Sequence, residues 1–464
     1  MPKILPAVLR AGVPALALAA AAVLAPGSAR AVPSYARQTG FACEACHTVF
    51  PELTPFGRMF KATGYTMVNT KKVEDINTSK QHTLSISDLP PISMMAVVST
   101  SQMAKANNSN SASGVTDFPQ QLSLFYAGRI TDNLGTYLQL TYSGAGNSIG
   151  MDNTDIRFAD RADMSGNDVI YGISINNNPT VQDLYNTAPA WQQPYMSPAT
   201  MNKPAAAMMI ASQGQTVAGL TAYTFINRSI YGEAGVYRTA HIGTDNSLLT
   251  AGNTVNNVIS TGAPYWRLAY ERDWQSNSLE VGTFGMYTPL ENPTGPVASV
   301  NNALRGGSTD NFLDTGLDAQ YQYITDNHQF SLQAQYFHEA QNLNASYAAG
   351  DATNKNDYLD QVGLIGTYYY KRHYGASLSA YQITGKSDAL RYTGTGGAPF
   401  VSNNGSPNSN WAVAELDYLP WLNTKIGLQY TMYGIFNGES SNYDGNGRNA
   451  PSNNMLYAYL WFAF

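Results

Sequence analysis

Cys43-Glu44-Ala45-Cys46-His47 contains both cysteines of the 464-residue chain. Two thiols two residues apart, followed at once by histidine, form the attachment site of a c-type haem. The thiols add across the two vinyl groups of the porphyrin, and His47 stands beside the ring as proximal ligand to the iron. A redox-active pair of this spacing wants a βαβ setting, which does not follow here. A structural zinc site needs further ligands, and no second ligand pair is present. No cysteine remains for a disulfide or a second cluster. One covalently attached haem c is therefore expected near the start of a long chain that otherwise looks nothing like a cytochrome.

The residues around the motif set its compartment. Residues 1–31 read as a secretory signal. Lys3 and Arg10 supply the positive start, Ala11 to Leu24 a short apolar run broken by Pro14, and Ala29-Arg30-Ala31 a cleavage site, so the mature chain is expected to begin at Val32. The run is too short and too rich in alanine for a spanning helix. Thioether attachment of haem fits the bacterial periplasm, so the two signals agree. Further on, no stretch of about 18 apolar residues occurs. Yet only 12% of the chain is charged, and it carries 31 Tyr and 40 Gly. Few charges, many tyrosines and modest hydropathy suit a transmembrane β-barrel, whose strands meet lipid on one face and water on the other. A net charge of −6 is mild and argues against nucleic acid as a partner.

The segment 32–82 carries the haem motif and is too short to build a core of its own. The remainder, 91–464, alternates strand and loop. Phe330, Leu332, Ala334 and Tyr336 alternate with Gln329, Ser331, Gln333 and Gln335. Ile426, Leu428, Tyr430 and Met432 alternate with Lys425, Gly427, Gln429 and Thr431. Leu134, Leu138, Leu140 and Tyr142 likewise oppose Tyr137, Gln139 and Thr141. This period of two is the mark of a strand with two unlike faces. In lipid such strands satisfy their backbone only by closing on themselves. A soluble sandwich would share the alternation.

Strands are expected near 92–100, 121–130, 133–143, 154–161, 168–176, 217–226, 230–240, 262–274, 278–288, 310–323, 328–341, 358–371, 373–384, 408–418, 422–434 and 453–464. Short turns at 131–132, 227–229, 275–277, 324–327 and near His373 alternate with long connections at 101–120, 177–216, 241–261, 289–309, 342–357, 385–407 and 435–452. That is the pattern of tight periplasmic turns and extended outer loops, and it puts both chain ends on the periplasmic side. The last strand presents Leu456, Ala458, Leu460, Phe462 and Phe464 on one face, which looks like the terminal signal of outer-membrane barrels. The expected fold is all-β: a transmembrane antiparallel barrel of about sixteen strands, with the small haem segment in or at its lumen.

Tyr35-Ala36-Arg37-Gln38-Thr39-Gly40, the haem motif, Phe50-Pro51-Glu52-Leu53-Thr54-Pro55-Phe56-Gly57-Arg58, Phe60-Lys61 and Gly64-Tyr65 resemble the fused monohaem cytochrome–porins of the outer membrane. The resemblance is specific between Tyr35 and Met67, and across the barrel it is one of architecture and length. The best-known members of that family oxidise extracellular ferrous iron. The resemblance therefore implies a haem enclosed by the lumen, Fe(II) as electron donor, and a periplasmic cytochrome as acceptor.

The second iron ligand is left open by the sequence. Met67 and Met59 are the nearest downstream sulfurs, Met94 and Met95 lie farther on, and His82 is the one nearby imidazole. A thioether raises the potential relative to a second imidazole, and taking electrons from ferrous iron needs a fairly positive haem. The expected order is Met67, then Met59, then His82. Arg37, Arg58 and Lys61 could pair with the haem propionates or with carboxylates of the barrel wall. Asp152, Asp155, Asp351, Asp357, Glu439 and Asp444 are expected as acids of the outer loops, where solvated charge is the ordinary explanation and a weak cation encounter site the other. Trp266, Trp274, Trp411 and Trp421 read as an interfacial girdle in contact with membrane lipid.

The sequence thus points to an outer-membrane electron conduit. Two rivals are a transport porin whose haem plug gates or stabilises the channel, and an electron outlet of low potential with bis-imidazole ligation through His82. The oligomeric state is open, although many large barrels are trimers.

Overall fold

The computed structural model describes residues 34–67, 91–106, 114–240, 258–291, 308–393, 402–421 and 423–464. The expected secretory signal and His82 lie outside them. Seventeen strands form one antiparallel sheet. They are β1 (Ile92–Met103), β2 (Val115–Arg129), β3 (Leu134–Ser143), β4 (Ser148–Met164), β5 (Asn167–Asn176), β6 (Val217–Ile226), β7 (Ile230–Thr239), β8 (Val258–Ile259), β9 (Ala263–Trp274) and β10 (Asn277–Glu291). The series continues with β11 (Thr309–Ile324), β12 (His328–Asn342), β13 (Asn356–Tyr370), β14 (Tyr374–Gly385), β15 (Ser409–Trp421), β16 (Thr424–Ile435) and β17 (Met455–Ala463). The two-residue β8 prolongs β9 along the edge of β10, so the wall has sixteen staves. β1 pairs with both β2 and β17, which closes the ring. At the seam Met94 and Phe464 exchange both backbone bonds, at 2.7 and 2.8 Å. Closure leaves no strand edge unpaired in the wall, which is the condition for crossing hydrocarbon.

The alternation sorts as a barrel requires and opposite to a soluble core. Along β12 the glutamines Gln329, Gln333 and Gln335 are buried, while Leu332 and Tyr336 are about 40% exposed. Leu268, Val281, Leu317, Leu364, Leu378, Leu416 and Leu428 stand exposed on the outside of other staves. The polar rows face the lumen and the apolar rows form a belt for lipid. Leu364, at the middle of β13, tests this directly. Leu364→Arg should cost about 2–4 kcal/mol of folding stability in bilayers. Denaturant titration of protein refolded into vesicles measures it. A near-neutral result would mean that this face meets water.

The connections fall into two classes. A two-residue hairpin sits at Ser165-Gly166, where both residues have positive φ, and the three-residue turn after Tyr370 has positive φ at Lys371 and Arg372. This is the turn geometry whose twist matches paired strands. The start of β1 and the C-terminal Phe464 lie on the same side as these tight turns. The other side carries the longer connections. Three strands outrun their expected limits: β1 continues to Met103, β2 begins at Val115, and β4 begins at Ser148. The added stretches mix polar and apolar residues, with Pro119 and Gly150 among them, and lack a clean apolar row. At this end the staves project beyond the lipid belt, where an apolar outer face is no longer needed.

The longest connection, 177–216, does not stay outside. It folds into the lumen and bonds to staves around the ring. Gln335 Nε2 on β12 donates to the Thr187 carbonyl at 2.6 Å, Tyr381 Oη on β14 to that of Gln193 at 2.6 Å, and Tyr433 Oη on β16 to that of Asn202 at 2.7 Å.

Candidate functional site

Among the described residues three short helices precede the barrel: α1 (Ser34–Thr39), α2 (Cys43–Cys46) and α3 (Pro55–Ala62). They fill the tight-turn end of the lumen. Gln38 of α1 reads the edge of β2 like another strand, donating to the Ala127 carbonyl at 3.0 Å and accepting from the Arg129 amide at 3.1 Å. Tyr35 Oη donates to the Thr136 carbonyl on β3 at 2.7 Å. Helix α3 begins with the cap that its sequence implies: Thr54 Oγ1 accepts from the Gly57 amide at 3.1 Å, with Pro55 at the first helical position. The same hydroxyl donates to the Ala45 carbonyl at 2.6 Å, and the Thr54 amide bonds to the Cys46 carbonyl at 2.9 Å. α2 and α3 are thereby locked together. Gly57 permits it, since a Cβ there would lie 2.2 Å from the Cys46 carbonyl oxygen.

His47 leaves α2 with its Nδ1–H donating to the Glu52 carbonyl at 3.2 Å. That bond fixes the ring and its tautomer and leaves Nε2 as the lone-pair nitrogen. Burial pushes the imidazole down to about 4, so it is neutral and able to ligate a metal at ordinary pH. Phe50 packs on it at 5.2 Å between ring centres, and Trp461 of β17 stacks on Phe50 at 5.8 Å.

Cys43 and Cys46 are unpaired, and their thiols and His47 open to one cavity of about 590 Å³. Its walls come from α1, α2, β1, β2, β3, β17 and the 190–196 stretch of the inward loop. The size falls within the usual range of cofactor pockets. Two free thiols and a fixed, neutral imidazole on one partly open, mostly apolar cavity fit the groups that hold a haem c.

The other expected site residues are placed as follows. Met59 leaves the cavity side of α3 and packs beside Ala62, Tyr185, Phe225 and Tyr231. Met67 ends the described part of the segment in a left-handed turn, φ 55°, and does not line the cavity. Met94 and Met95 do line it. Arg37 donates to the Ile92 carbonyl at the edge of the barrel. Arg58 is fully buried and points to the opposite wall, pairing with Glu271 at 2.7 Å and bonding Ser278, Gln320 and Gln322. The cations on the cavity wall are Lys61, Arg372 and Lys425. Lys61 donates to the carbonyls of Val181 and Asp183 and to Asn186 Oδ1, at 2.8, 2.5 and 3.0 Å. Arg372, on a tight turn, pairs with Glu44 inside the haem motif at 2.6 Å.

Beyond the cavity the lumen is blocked by buried ion pairs. Arg267 of β9 meets Asp183 of the inward loop at 2.7 Å, Asp318 of β11 at 2.8 Å and Glu280 of β10 at 3.2 Å, with no exposure of any partner. Tyr185 lies between the Arg58 and Arg267 guanidiniums, each 5.4 Å from its ring centre. Arg157 of β4 grips Asp155 at 2.7 Å, and Tyr65 donates to the same carboxylate at 2.7 Å.

Two expectations are corrected here. Asp155 is an acid of the lumen, and Asp152 lines the haem-motif cavity, so neither belongs to the outer loops. Both sit on a strand that begins earlier than its polar sequence suggests. Trp411 is not part of the girdle. It shares the inward row of β15 with Val413 and Glu415 and stacks on the buried Tyr381 at 5.1 Å. That parity with Glu415 and Asp417 was the signal available in the sequence. Trp274 and Trp421 do face outward, each about 40% exposed. The inward loop, with Asp183, Tyr185 and Met196, carried no periodic signal at all.

Sequence comparison finds no matching family model and no matching curated protein. Several solved structures share the barrel. Salmonella typhi OmpF in complex with daunomycin is 13% identical, covering 80% of this chain and 97% of its own, with a TM-score of 0.44. The anion-selective porin from Comamonas acidovorans is 12% identical over 80% and 99%, TM-score 0.45. The outer membrane channel DcaP of Acinetobacter baumannii is 10% identical over 80% and 96%, TM-score 0.46. These are likenesses of architecture at most, and the functional reading rests on the chain's own geometry.

Proposed function

We propose that the chain is an outer-membrane electron conduit. It would take one electron from extracellular Fe(II) to a single haem c and hand it to a periplasmic cytochrome. The observation that carries this reading is the joint opening of Cys43, Cys46 and His47 into one mostly apolar cavity within the closed barrel. When bound, the haem supplies a one-electron Fe(III)/Fe(II) couple. Cys43 and Cys46 would hold it by thioether bonds, and His47 Nε2 would ligate the iron, oriented by the Glu52 carbonyl. The apolar wall, with Phe50, Phe60 and Trp461, excludes water, which is one of the levers on haem potential. Of the cations on the cavity wall, Arg372, on a turn beside Glu44, would be the one to meet the haem propionates, in preference to Arg37 and Arg58. The location explains the fusion: hydrocarbon about 30 Å thick is a long way for direct electron transfer, and a redox centre within the wall shortens the path.

The test is an anaerobic titration of the detergent-solubilised, haem-loaded chain with Fe(II), followed in the visible spectrum. Reduction by Fe(II), faster than by non-metal donors, is expected. A haem that stays oxidised in excess Fe(II) overturns the donor assignment. Against the transport-porin reading stand the buried ion pairs of Arg267 with Asp183 and Asp318, which narrow the path a solute would take.

A further inference from the structure

The cavity that holds the haem motif also contains a sulfur that sequence proximity overlooks. We propose that Met196, in the inward loop, supplies the second axial ligand to the haem iron, an inference that rests on the electron-conduit reading.

The reasoning is by chemistry and by position. Most polar groups on the cavity wall that could reach a metal are already committed. Lys61 has three acceptors, and Lys425 lies between Glu415 and Asp417 at 2.8 and 3.0 Å. The Tyr35 and Tyr195 hydroxyls donate to the Thr136 carbonyl and to Glu52. Three thioethers line the same cavity: Met94, Met95 and Met196. Met94 stands on the outward row of β1 with the exposed Ile92. Met95 faces inward but is 6% exposed, wedged with Val97 against Tyr457 and Tyr459. Met196 packs on the same cluster yet is only half-buried, and it lines the cavity from the loop side.

Position favours it as well. Tyr195 Oη donates to Glu52 Oε1 at 3.2 Å, and the carbonyl of that same Glu52 orients His47. The two candidate ligands are thus registered through one residue. The backbone on either side is pinned to the wall. Gln429 Nε2 donates to the Met196 carbonyl at 3.1 Å and Gln120 Nε2 to that of Ser197 at 2.8 Å. A thioether on so fixed a support would raise the potential of a haem held there, as an acceptor of electrons from Fe(II) requires.

The experiment compares haem-loaded wild type with Met196→Ala, Met196→His and Met95→Ala, each checked for barrel folding by heat-dependent gel mobility. Wild type should be low-spin and show the weak red charge-transfer band of thioether-ligated ferric haem. Met196→Ala should lose that band and become high-spin. Met196→His should stay low-spin with a midpoint potential shifted downward, and Met95→Ala should match wild type. An unchanged spectrum in Met196→Ala, or loss of the band in Met95→Ala, overturns the assignment alone. Wild-type chain carrying no covalent haem overturns it together with the reading beneath it.

Discussion

Arg267→Leu turns a barrel that does not conduct into one that leaks. In the native lumen this guanidinium joins Asp183 of the inward loop to Asp318 and Glu280 of two staves, all without exposure. Removing one partner of such a buried set leaves the carboxylates uncompensated, at a cost of about 3–5 kcal/mol. The wall itself is held by backbone ladders and survives. The loss falls on the attachment of the loop. Single-barrel recordings in planar bilayers should show negligible current for wild type and stepwise conductance for the variant. Arg272→Leu, on the exposed outward row of β9, should behave as wild type. Lysine at 267 should rescue only in part, because it cannot present the planar fork that meets three acids at once. Wild-type barrels with ordinary porin currents would restore the channel reading.

The second large effect is chemical. The double variant Cys43→Ser, Cys46→Ser should lose covalent haem completely and, with it, all reduction by Fe(II). Its fold should persist, since the segment is held in the lumen by Arg58, Lys61 and Tyr65 and no thiol takes part. Intact mass and haem staining report the first, and heat-dependent mobility the second. A variant that still turns red and still accepts electrons would show that the thiols are not the attachment points.

Much of the architecture was legible because a lipid-facing wall imposes a simple rule. Each stave must alternate, and β12 and β16 do so without a break, so their limits were readable within a residue or two. Where the wall rises beyond the lipid, as in the first residues of β4, the rule lapses and Ser148 to Asn153 reads as loop. Trp411 shows the opposite error: its chemistry suggested an interface while its parity placed it inside. The motif at Cys43–His47 stood out by its spacing alone, and the structure brings its two thiols and imidazole to one cavity. The walls around it were not. Asp183, Tyr185 and Met196 are brought to the motif by an irregular loop, and Arg58 finds Glu271 more than two hundred positions away. Such contacts leave no local trace in composition or period.

The seam between the first and last staves carries one more implication. Met95 and Trp461 stand on either side of it and both line the cavity, while Met94 and Phe464 zip the backbone shut beside them. Sealing the cylinder and finishing the shelter are therefore a single event. Assembly then carries its own checkpoint: a chain stalled with its terminal stave unjoined exposes the motif, and one that joins has already enclosed it.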